Sequence, residues 1–106
     1  MPAAILAPGA RRDVLNAARI IARDNVSAAR RLPRTVVALA QRIGDFPDIG
    51  IERLDLASPP YRFVALPGFP HIVVYDAARR PPVILRILHG SRDLQSILKN
   101  LPHRGS

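Results

Sequence analysis

The apolar residues of this chain keep two different periods, and the change from one to the other restricts the fold more than any other feature. From Ala10 to about Asp24, the residues Val14, Ala17, Ala18, Ile21 and Ala22 recur at spacings of three and four. Arg11, Arg12, Arg19 and Arg23 fall largely on the opposite side. A second stripe, Leu32, Val36, Leu39 and Ile43, follows after the short link "DNVS". From Tyr61 onward the period is two. A stripe at helical spacing has to bury one side of a helix, and alternation has to bury one face of a strand. The first half therefore reads as two amphipathic helices, over about residues 10–24 and 27–44, and the second half as a sheet for them to cover.

Local signals refine this outline. Asn25 or Ser27 can cap the second helix by accepting a bond from an orphan backbone N–H, and Gly44 is placed to stop it. Pro33 either sits inside that helix, removing one backbone bond and kinking the axis, or lies in the first turn of a helix that starts late. A short link between two helices of similar length gives an antiparallel hairpin. The segment from Phe46 to Pro60, "FPDIGIERLDLASPP", is a loop punctuated by prolines and Gly50. Strands are expected at Tyr61–Leu66, His71–Asp76 and Val83–His89, joined by "PGFP" and "AARRPP". Consecutive strands with short links form an antiparallel meander. "AAIL" at residues 3–6 is a candidate edge strand, ended by Pro8-Gly9.

The resulting fold class is α+β: an N-terminal antiparallel helical hairpin packed on a small antiparallel sheet, in two layers. Val14, Ile21, Leu32, Val36, Leu39, Val73, Leu85 and Ile87 are the expected core. The 106 residues suffice for one domain, 1–106, with 99–106 expected to be a flexible tail.

The last strand, "VILRILH", carries an arginine in an apolar run. Side chains alternate across a strand, so Val83, Leu85 and Ile87 would bury against the helices. Arg86 would then project from the other face between Ile84 and Leu88. A fully buried, unpaired ion costs several kcal/mol or more, so that face has to be wet or meet a partner. One reading is a binding groove with a guanidinium at its centre. The other is an arginine whose stem covers apolar neighbours while its head reaches water.

Charge and composition narrow the chemistry. The net charge is +8, from 16 basic and 8 acidic residues. Every basic residue except Lys99 is arginine. Genomic base composition accounts for such a skew; an anionic partner accounts for it as well. The pairs Arg11-Arg12, Arg30-Arg31 and Arg79-Arg80 are spread along the chain, which suits a charged folded surface rather than a basic arm. Cysteine is absent, which removes disulfides and thiolate metal sites. His71, His89 and His103 have no carboxylate at ligand spacing, so no metal is expected. No phosphate-binding glycine loop or serine nucleophile motif is present, and no cofactor is expected. No apolar run approaches the ~18 residues of a membrane span, and the N-terminus lacks the basic region of a signal peptide. The expectation is a soluble, cytoplasmic protein with no membrane contact. What remains is a basic and histidine cluster, Arg62, Arg86, His89 and Arg92. Such groups bind phosphates, and an imidazole can move protons near neutral pH. For His89 the plainer reading is a strand-end residue bonding to nearby backbone.

The segment Gly68-Phe69-Pro70 with Tyr75, and the ending Arg86-x-x-His89-Gly90-x-Arg92-Asp93, resemble the ParE branch of the RelE/ParE superfamily. These are toxins of bacterial type II toxin–antitoxin pairs. The similarity runs from about Ala3 to Leu98. It implies a ParD-like antitoxin with a ribbon-helix-helix DNA-binding part and a C-terminal arm that is disordered until it wraps the toxin. It further implies that the complex represses its own operon, so that operator DNA is reached through the antitoxin. ParE-like toxins poison DNA gyrase, whereas RelE-like relatives cut mRNA in the ribosome. By position, Arg62 matches the family's arginine on the second strand. Arg86 matches the arginine of the last strand, which in the nucleases contacts RNA phosphate. The chain departs from the nuclease pattern in having Leu94-Gln95 after the ending, with no tyrosine there, and few lysines. The resemblance thus implies a gyrase poison rather than an enzyme, with Arg62, Ile84, Arg86, Leu88, His89 and Arg92 facing target or partner. The alternative is a ribosome-dependent endoribonuclease using Arg62, Arg86 and His89. A third reading, a small basic nucleic-acid-binding domain, is disfavoured by an aromatic content of 5% and the lack of a reading helix.

Overall fold

Pro8 opens the first helix, because its fixed φ suits the first turn and its missing N–H is not needed there. In the computed structural model, which describes residues 1–93, the elements are β1 (Ile5–Leu6), α1 (Pro8–Ala22), α2 (Val26–Asp45), β2 (Tyr61–Ala65), β3 (His71–Asp76) and β4 (Val83–His89). α1 therefore starts earlier than its apolar stripe does. Asn25, not Ser27, caps α2: its side chain accepts from the Ala28 N–H at 2.9 Å. Pro33 lies inside α2, well past its first turn. Gly44 is also helical and does not stop it. A Cβ there would overlap the Pro2 carbonyl oxygen, so this glycine lets the N-terminal segment lie against the helix. The expected tail, 99–106, lies outside the described residues.

The sheet order is β1-β4-β3-β2. β2, β3 and β4 form the expected antiparallel meander. β1 exists and joins the edge, but it runs parallel to β4, with Ile5 opposite Val83 and Leu6 opposite Ile84. The sheet is therefore mixed rather than wholly antiparallel. No helix among the described residues is long and apolar enough to cross a membrane.

The main core lies between the helical hairpin and one sheet face. It joins Ala10 and Ala17 of α1 and Leu32, Val36, Leu39 and Ile43 of α2 to Val73, Tyr75, Ile84 and Ile87. Of the expected core, Leu32, Val36, Leu39, Val73 and Ile87 are buried, and Val14 and Ile21 are half-buried at its margin. Leu85 is the exception. Arg86 pairs with Val74 and Ile84 with Tyr75, so Leu85 is an extra residue in β4, a bulge. Strict alternation fails at that point, and Ile84 and Ile87, three apart, both face the helices. Leu85 instead joins a second cluster, where Tyr61, Phe63, Val74 and Leu88 pack with Leu56 and Ala57 of the long loop. Part of that loop thus covers the far sheet face, beyond the two layers expected.

Tyr75 ties this loop down. Its ring is fully buried, its hydroxyl donates to the Pro47 carbonyl at 2.6 Å, and it accepts from the Gly50 N–H at 2.9 Å. A Cβ on Gly50 would come within 2.8 Å of the Tyr75 ring and hydroxyl, so only glycine permits this approach. Removing the hydroxyl leaves the buried Gly50 N–H unpaired, at about 1–3 kcal/mol per unsatisfied buried group, while the part-buried Pro47 carbonyl can turn to water. Tyr75→Phe is therefore expected to lower stability by about 1–3 kcal/mol in urea unfolding. An unchanged midpoint would show that the loop is held by its apolar contacts alone.

Candidate functional site

The charged centre of the molecule is the carboxylate of Asp13, on α1. It accepts from Arg86 Nε at 2.8 Å and from the second guanidinium nitrogen at 2.9 Å, a bidentate pair. It also accepts from the Ile87 N–H at 2.9 Å, a backbone donor on the stretch of β4 beyond its pairing with β1. The pair is largely out of water, with side-chain exposures of 13% for Asp13 and 27% for Arg86. These hydrogen bonds raise the guanidinium pKa further above its ordinary value. The close passage of Arg86 past α1 uses Gly9, where a Cβ would stand 3.2 Å from Arg86 Cδ.

At the far end of β4, His89 stands opposite His71, the first residue of β3. The two rings pack edge to face with centroids 5.5 Å apart, and Phe69 packs on His71 at 6.4 Å. The Ser91 N–H lies 3.3 Å from His89 Nδ1 and the Ser91 hydroxyl 3.1 Å from it. A backbone N–H can only donate, so Nδ1 accepts and the neutral ring carries its proton on Nε2. The turn closes through the Asp93 N–H to the His89 carbonyl at 3.1 Å and the Gly90 N–H to the Pro70 carbonyl at 2.9 Å. His71 is 8% exposed, and its Nδ1 has no hydrogen-bond partner among the described residues. Burial, and then the nearby His89 and Arg92, push its pKa below the usual imidazole value.

The apolar face with Arg86 between Ile84 and Leu88 is not formed. Ile84 is buried in the main core and Leu88 in the second cluster, on opposite sides of the sheet. The bulge at Leu85 changes the phase of the strand there, and Arg86 reaches α1 instead of a partner surface. Arg62 is held elsewhere. It donates to the Gly50 carbonyl at 2.8 Å, and its head lies 3.5 Å from Glu52 and 3.7 Å from Asp48. It pairs with Tyr75, four residues along β3 from His71. At ~3.3 Å per residue, that is about 13 Å from the level of the histidines. The structure thus brings His89 and Arg92 together beside one cleft and leaves Arg62 apart from it. Two participants, Asp13 and His71, were not singled out from the sequence. His71 had a signal: it begins one strand of a hairpin whose partner ends in His89. Asp13 had none, being 73 residues from Arg86. No group of three or more potential metal ligands occurs among the described residues.

Two helices on a four-stranded mixed sheet recur in a solved structure. A solved structure of the chromosomal ParDE TA system from P. aeruginosa superposes with a TM-score of 0.68 and 17% identity, covering 84% of this chain and 96% of that one. At that identity the match speaks for the fold. No curated protein matches the sequence. A family model described as the ParE toxin of the type II toxin–antitoxin system, parDE, matches residues 4–94, and the chain belongs to that family.

Two expectations follow from the site. Asp13→Ala strands Arg86 and frees the Ile87 N–H, and breaking a largely buried pair from one side costs about 3–5 kcal/mol. A loss of about 2–4 kcal/mol is expected in chemical unfolding, the lower bound reflecting the part of the Arg86 head that keeps water. A loss below about 0.5 kcal/mol, the level of ordinary surface changes, would refute a central role for the pair. The second concerns pH. The unfolded chain protonates His71 near the ordinary value of ~6.5, and the folded chain does so only at lower pH. Between those values the unfolded state binds more protons, so stability rises with pH and is lost as pH falls through that window. Melting curves from about pH 7.5 down to 5 should show this loss, and His71→Phe should remove it. An identical slope in the variant would assign the effect to other groups.

Proposed function

We propose that this toxin acts by binding DNA gyrase and blocking its supercoiling, not by cutting RNA. A ParD-like antitoxin neutralises it, and the pair represses its own operon. The observation that carries this reading is the separation and engagement of the groups an RNA-cleaving site would need. Arg86, the candidate phosphate ligand, spends its guanidinium face on Asp13. Arg62 is bound to the Gly50 carbonyl about 13 Å from the histidines along the strand. General acid–base work requires the base within hydrogen-bond reach of the reacting group, with the charge-stabilising donors close by. His89 has neither arginine arranged in that way. Membership of the ParE family supports gyrase as the target. The +8 charge suits both an acidic antitoxin arm and long-range attraction to an anionic assembly.

The deciding experiment follows gyrase supercoiling and ribosomal mRNA cleavage side by side with the purified chain. Supercoiling should stop at a stoichiometric excess of toxin while mRNA stays intact. Unaffected gyrase together with mRNA cleavage that His89→Gln abolishes would reverse the assignment and make imidazole chemistry the better account.

A further inference from the structure

A cleft of about 400 Å³ opens between the α1–α2 corner and the end of the β3–β4 hairpin. Ile20, Ile21, Ala28 and Phe69 give it apolar walls, and His71 and His89 lie against it. Arg31 and Arg92 stand at its margin, against the single carboxylate of Asp24. A second cleft of about 240 Å³, running along α1 toward Arg86, shares His71, His89 and Arg92 with the first.

Three features there are unspent in the free chain. His71 is more than nine-tenths buried, lines both clefts, and has an Nδ1 without a partner among the described residues. A buried polar group in that condition has lost its water without gaining a partner. Among the described residues neither Arg31 nor Arg92 takes part in an ion pair, and the Arg31 head donates a hydrogen bond to the Ser27 hydroxyl at 3.3 Å. Ile20, on the cleft wall, is 44% exposed. The cleft also lies at the N-terminal end of α2, where the helix dipole favours an anion.

We propose that this cleft receives one carboxylate side chain carried on an apolar segment of the antitoxin, with Arg31 and Arg92 flanking the carboxylate and His71 bonding to it. This deepens the toxin–antitoxin reading and rests on it. A carboxylate supplies a partner for the buried imidazole and the anion that neither guanidinium has among the described residues. The apolar walls call for aliphatic neighbours on the same segment, which a peptide has and a phosphodiester chain does not. Nucleic-acid backbones track along grooves with a row of cations, whereas here two cations flank one largely apolar hollow.

The test uses the full toxin chain and the full antitoxin encoded beside it. Arg31→Gln and Arg92→Gln lie at exposed positions and should leave the melting temperature unchanged. Each should weaken the complex about tenfold or more, as truncating one member of a desolvated charge pair does. Each Asp and Glu of the antitoxin's C-terminal arm is then changed singly to Asn or Gln. One of these changes, and not the others, should reproduce the loss and add little to it when combined with Arg92→Gln. The titration midpoint of His71, followed by NMR, should rise in the wild-type complex and not with that antitoxin variant. His71→Phe should melt no lower than wild type at neutral pH, since its imidazole has an unpaired nitrogen to lose, yet should bind antitoxin more weakly. Equal small losses for every antitoxin carboxylate, without coupling, would overturn the proposal and leave only diffuse attraction. A His71 midpoint that moves with inorganic phosphate or a 20-base-pair DNA duplex, but not with antitoxin, would assign the cleft to a phosphate and overturn it too. Tight binding without coupling removes the cleft proposal alone. Absence of any toxin–antitoxin binding removes the antitoxin reading and the proposal together.

Discussion

The carboxylate of Asp13 holds together parts of the chain that no local rule connects. It neutralises a guanidinium that β4 brings out of water, and it satisfies a backbone donor that β1 does not reach. The net gain from such a pair is modest, because both ions lose hydration when they meet. What matters is the asymmetry: either partner left alone would be a largely buried, uncompensated charge. α1 is thereby fixed to one position along β4. The cleft beside His71 lies between the helix so positioned and the end of the hairpin.

The bulge at Leu85 is the second constraint, and it acts in both directions along β4. Toward the N-terminal end it keeps Ile84 on the helix side, packed with Tyr75 and α2. Toward the other end it changes the pairing by one. Extending the register set by Asp76 and Val83 without interruption would put His71 opposite Leu88; the extra residue moves its partner to His89. One inserted residue therefore creates the imidazole pair, and with it the buried ring whose titration is displaced.

These two constraints also mark what the sequence displays and what it hides. Both helices, a cap at Asn25 or Ser27, the three meander strands and a candidate edge strand follow from periodicity, turn residues and capping chemistry, all of which act over a few positions. The ends of α1 and α2 move because Pro8 and Gly44 each have two readings, and only tertiary contact selects between them. "VILRILH" is apolar on both sides of its arginine, so its pattern is the same with a bulge as without, and the face of Leu85 cannot be read from it. For the site, His89 and Arg92 are legible as chemistry. The engagement of Arg86 by Asp13 and of Arg62 by the Gly50 carbonyl depends on residues far away or on backbone, neither of which leaves a spacing to recognise.

The short length of β1 has a consequence for how this molecule behaves in a crowded solution. A two-residue edge strand leaves the outer side of β4 from Leu85 onward without a strand partner among the described residues, and an open sheet edge is a template on which other chains can add. Here the edge is kinked by the bulge, flanked by a fixed ion pair, and its Ile87 N–H is already occupied. A neighbouring copy approaching edge to edge would meet charge and a bend instead of a straight row of donors and acceptors. The contact that fastens α1 to the sheet thus also makes this edge a poor template for a second copy.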